Sequence, residues 1–84
     1  MSIEVIREAA LTYVNAVTTA KKAGALNIYI DTKDKVRVQL SEYDDLFDSL
    51  PGDPETKRQS AEFDQQIKTV DGIEYFVLIE KTVN

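Results

Sequence analysis

Whatever chemistry this chain performs must come from carboxylates, amines and hydroxyls, because it contains no histidine and no cysteine. Ser–His–Asp triads, Cys–His pairs and histidine or thiolate zinc sites are thereby excluded. Carboxylates remain. Six of them, Glu42, Asp44, Asp45, Asp48, Asp53 and Glu55, fall in one stretch that holds no lysine or arginine. Paired carboxyl groups hydrolyse glycosides when a groove holds a sugar bond between them. Three glycines in 84 residues leave little material for such a groove. The run Asp44-Asp45 followed by Asp48 lacks the alternating ligands and central glycine of a calcium loop, and there is no glycine-rich phosphate cradle. These residues predict a non-enzymatic protein with no cofactor, no metal site and no small-molecule substrate.

The acidic stretch instead creates a field. The chain carries −5 overall, and outside residues 42–55 nine acidic and ten basic side chains nearly cancel. Charge so concentrated bears on partners rather than on fold. Glu42, Asp44 and Asp45 suit the first turn of a helix capped by Ser41, where negative charge is favoured. Asp48, Asp53 and Glu55 lie at or beyond the opposite end and have no such local reason. An array of carboxylates can imitate the phosphates of a nucleic acid. The alternative function is therefore an acidic decoy, of the kind mobile elements and phages use, that blocks a DNA- or RNA-binding protein. Direct nucleic-acid binding is disfavoured by the net charge. A local excess of cations does exist: Lys21, Lys22, Lys33, Lys35 and Arg37 stand against Asp31 and Asp34. Its stronger reading is a solvated strand edge whose lysines discourage aggregation, and its weaker one a nucleic-acid contact through Lys33, Lys35 and Arg37.

The elements that must position these groups follow from periodicity. Ile3, Ile6, Ala10, Tyr13, Val14 and Val17 recur at spacings of three and four, which predicts a helix over 3–23, capped by Ser2 and stopped by Gly24. Leu26–Thr32 and Val36–Leu40 alternate and predict a hairpin. A short acidic helix is expected from Ser41 to Leu50, and a mobile loop from Pro51 to Ser60. Asp71-Gly72, set between strand-like runs Ala61–Val70 and Ile73–Thr82, is a strong type I′ hairpin signal. It fixes Ile67 opposite Phe76 and Lys68 opposite Tyr75. One face then holds Phe63, Ile67, Phe76 and Leu78, and the other Val70, Ile73, Tyr75, Val77 and Ile79.

The expected fold is a single α+β domain over 1–84. Its N-terminal helix packs on a four-stranded, mainly antiparallel sheet, in the order α-β-β-α-β-β. A composition 43% hydrophobic and 30% charged is that of a globular chain. The start has no basic leader and no segment reaches the roughly 20 apolar residues of a membrane span, so the expected location is the cytoplasm, away from membranes. Tyr75-Phe76-Val77-Leu78-Ile79 is apolar on both faces, which calls for cover on both. The expected function is a small acidic protein-interaction module, self-associating as a homodimer or binding a protein partner through Tyr75, Val77 and Ile79.

Overall fold

A computed structural model describes residues 1–81. It shows one helix, α1 (Ile3–Lys22), and five strands: β1 (Asn27–Ile30), β2 (Val36–Gln39), β3 (Glu55–Arg58), β4 (Phe63–Val70) and β5 (Ile73–Glu80). The strands form one mixed sheet in the order β1-β2-β5-β4-β3. Three neighbouring pairs are antiparallel, and the fourth, β2 with β5, is parallel. The α+β class is as expected. The four-stranded sheet is not: β3 is the fifth strand, and it lies inside the segment predicted as a mobile loop. All four β3 residues are exposed, so no alternation marks them as a strand. Their backbone pairs with Asp64–Ile67 of β4.

Both hairpins form where predicted. Asp71 and Gly72 take φ of 53° and 78°, the positive values a type I′ turn requires. The β4–β5 register is Val70↔Ile73, Lys68↔Tyr75, Ile67↔Phe76, Gln65↔Leu78 and Asp64↔Ile79, as the turn dictates. The predicted extension of β5 to Thr82 runs outside the described residues. The first hairpin closes without glycine. Asp34 takes a left-handed φ of 59°, and Asp31 Oδ1 accepts the amides of Lys33 and Lys35, each at 2.9 Å. An aspartate thus supplies the turn chemistry.

The second helix does not form. Residues 41–50 make a ribbon of turns. Asp44 Oδ1 accepts the Leu46 amide at 3.1 Å, and Ser49 Oγ donates to the Leu46 carbonyl at 2.6 Å. Such local side-chain bonds offer the backbone an alternative to a helix. The ribbon presses Phe47 (4% exposed) onto the sheet, where it joins Val38, Leu40 and Val77 in the core.

The expected packing of α1 on the sheet is also corrected. None of its residues is buried, and the molecule measures 55 × 24 × 22 Å. The helix projects, and the sheet face bearing Val38, Leu40 and Val77 is covered by the 41–50 ribbon through Phe47.

Candidate functional site

Local sequence makes α1 a firm helix despite its exposure. Ser2 Oγ accepts from the Val5 amide at 3.4 Å. At the other end Ala25 N–H bonds the Ala20 carbonyl and Gly24 N–H the Lys21 carbonyl. This is a Schellman closure around a residue with positive φ. Gly24 has φ +114°, and a Cβ there would lie 2.9 Å from Leu46 Cδ1. The root of the helix is thus seated against the ribbon. A single hydroxyl adds to the anchoring: Tyr13 donates to the Ile28 carbonyl of edge strand β1 at 3.2 Å. Beyond Tyr13 the apolar arc stands in solvent, with Ile3 67%, Ile6 59% and Val14 57% exposed. At the foot of the helix an apolar cleft of about 340 Å³ opens between Ala20, Ile28, Leu46, Leu50 and Tyr75.

The interaction residues read from the sequence lie elsewhere. Val77 is 2% exposed, within the core that Phe47 closes. Tyr75 and Ile79 are half-buried beside it. Their face is covered by the chain's own ribbon. Lys68 makes that possible, and the sequence reading passed over it. Its Nζ donates to the Phe47 and Leu50 carbonyls at 3.0 Å each and stands 4.8 Å from the Phe47 ring centre. The signal available was a lysine on a sheet face that otherwise carries Val70, Tyr75 and Val77. Lysine is rarely so deeply buried unless it has partners.

Of the acidic residues, Asp44, Asp45, Asp48, Asp53 and Glu55 are exposed and Glu42 is half-buried. Asp44, Asp45 and Asp48 share the ribbon, Asp53 follows in the Pro51–Pro54 turn, and Glu55 opens β3. The ion pairs among the described residues, Arg37–Glu74 at 3.1 Å and Lys81–Asp64 at 3.2 Å, include none of the six. Glu42 bonds the Tyr43 hydroxyl, which raises that phenol above its ordinary value of 10.0.

The opposite sheet face is basic. The Arg37 guanidinium stands over the Phe76 ring, 4.3 Å from its centre. It donates to Gln65 Oε1 at 2.7 Å and to the Tyr29 hydroxyl at 3.2 Å. Its Nε faces Glu74 at 3.1 Å, an ion pair in which the N–H is not aimed at the oxygen. Gln65 in turn bonds Gln59. This lattice shields Phe76 and Ile67, which completes the cover of β5 on its second face. Around it a cleft of about 370 Å³ gathers Lys33, Lys35, Lys57 and Arg58. Lys33, Lys35 and Arg37 are therefore brought together, and β3 adds the two cations that sequence reading left in a loop. The amide of Lys35, ahead of that of Lys33 and the nearby cations, holds the Asp31 carboxyl below its ordinary 3.8.

Among the described residues no three metal-binding side chains converge, and no helix is long and apolar enough to cross a membrane. The chain matches no family model, no curated protein and no solved structure.

Proposed function

We propose that the protein is a small, non-enzymatic interaction module that self-associates through the apolar face of α1. One observation carries this reading: a twenty-residue helix with a continuous apolar arc and no buried residue. Scattered apolar side chains are ordinary on a monomer, but a contiguous patch marks an interaction site. The surface differs from the one expected at Tyr75, Val77 and Ile79, because the ribbon already occupies that face.

A second copy suits the helix in shape. A two-fold axis pairs the same patch on both subunits. Antiparallel pairing would carry Ile3 and Ile6 of one copy toward the apolar cleft at the foot of the other. Sedimentation equilibrium over a wide concentration range tests the reading. A dimer is expected, with Ile6→Asp monomeric. A concentration-independent monomer would sink it.

A second reading rests on the five exposed carboxylates Asp44, Asp45, Asp48, Asp53 and Glu55, none of them in an ion pair among the described residues. As an acidic decoy, the protein would capture a nucleic-acid-binding partner in a salt-sensitive way, and Asp45→Lys with Asp48→Lys would abolish capture. Capture that ignores salt would count against this reading.

A further inference from the structure

None of the residues lining the cleft on the basic face belongs to α1. We propose that this cleft binds a phosphate-bearing anion with more than one charged group. Its rims are cationic at both ends: Lys33 and Lys35 on the first hairpin turn, Lys57 and Arg58 on edge strand β3. None of these four takes part in the ion pairs among the described residues. The acids of the cleft are already engaged. Glu74 compensates Arg37, and Asp31 is tied to the amides of its own turn. Arg37 is committed to Gln65, Tyr29 and Phe76, so it forms the floor rather than a ligand. On a chain of net −5 this cleft is a local reversal of sign. A cleft lined by one charge focuses the field and concentrates counter-ions.

The spacing of the rims selects the ligand class. Strands β2 and β3 are separated by β5 and β4, which at ordinary strand spacing puts them about 14 Å apart. A single carboxylate reaches one rim. A chain of phosphates reaches both, and its many acceptor oxygens suit lysine ammonium groups and the arginine fork. The lining adds Thr32 as a polar partner.

Amide NMR spectra titrated with sodium tripolyphosphate and, separately, with a short oligothymidylate test the proposal. Saturable shifts are expected at residues 31–37 and 56–58. Three phosphate contacts to the oligonucleotide would weaken binding about 20-fold between about 50 and 200 mM salt. Lys35→Glu with Lys57→Glu should lower affinity by about tenfold or more, while Lys21→Glu, on the exposed helix end, leaves it unchanged. Saturation by tripolyphosphate assigns the site to free phosphates, and saturation by the oligonucleotide alone assigns it to phosphodiesters; either sustains the proposal. Absence of saturable shifts with both probes overturns it, and so does an equal loss in Lys21→Glu. A polyglutamate peptide that binds as tightly as the phosphates would reassign the cleft to an acidic protein and likewise overturn it. Ile6→Asp is expected to bind as the parent does, which keeps this outcome separate from that of the helix.

Discussion

Replacing Ile6 by alanine should weaken self-association by about two orders of magnitude and leave the sheet intact. Each carbon fully removed from water contributes about 0.8 kcal/mol, so the three carbons beyond Cβ are worth about 2.4 kcal/mol. Ile6 is 59% exposed in the single subunit. About 1.4 kcal/mol per copy therefore remains to be gained on assembly, and a two-fold interface counts it twice, giving about 2.8 kcal/mol. That is about 100-fold in Kd. The subunit itself loses nothing comparable, because alanine exceeds isoleucine in helix propensity by a few tenths of a kcal/mol. Sedimentation equilibrium of parent and variant reads the ratio directly, and circular dichroism confirms equal helix content. A dimer whose Kd changes less than about threefold would refute the assignment of this face, since that is under 1 kcal/mol. Equal weakening by Thr18→Ala, on the polar side of α1, would refute it as well.

Three further outcomes follow from the fold. Lys68→Ala should destabilise the protein by about 2–4 kcal/mol, because it strips two carbonyls of their donor and empties a buried site; urea unfolding that shifts by less than 1 kcal/mol would remove Lys68 as the clamp of the ribbon. Gly24→Ala meets both a positive φ and Leu46 Cδ1 at 2.9 Å, and should cost about 1–3 kcal/mol, read as a lower thermal midpoint; an unchanged midpoint would mean that helix and ribbon are not seated on one another. Asp31 titrates below 3.8 in the folded protein, so its contribution to stability is present above that value and is lost as pH falls through the folded one. Asp31→Asn should flatten this acid limb, and a carboxyl shift seen by NMR at an ordinary pKa would contradict the turn geometry.

Legibility in the sequence followed the range of the interactions. Asp71-Gly72 specified its hairpin and the facing residues of β4 and β5, because the turn's backbone needs are local. The capping of α1 by Ser2 and Gly24 was readable for the same reason. The 41–50 segment misled because Ser41 and three acids resemble a helix start. Asp44 and Ser49 bond the nearby backbone instead, and the decisive donor, Lys68, comes from a distant strand. Strand β3 was invisible because a charged edge strand has no apolar period to show. The arc on α1 announced a buried face without saying what buries it. Of the candidate site residues, Lys33, Lys35 and Arg37 were grouped by their nearness in sequence around the first hairpin, but their companions Lys57 and Arg58 required the pairing of β3 with β4.

The parallel seam between β2 and β5 has a consequence for how the chain assembles. Each hairpin needs only its own turn, so each can form early and alone. The seam joins residues 37 positions apart and must wait for both, since loop closure precedes any reward from distant contacts. Phe47 and Lys68 then act as a latch on the joined halves. Pulse-labelled amide exchange should show β4 and β5 protected before β2 meets β5, with latching as the last event.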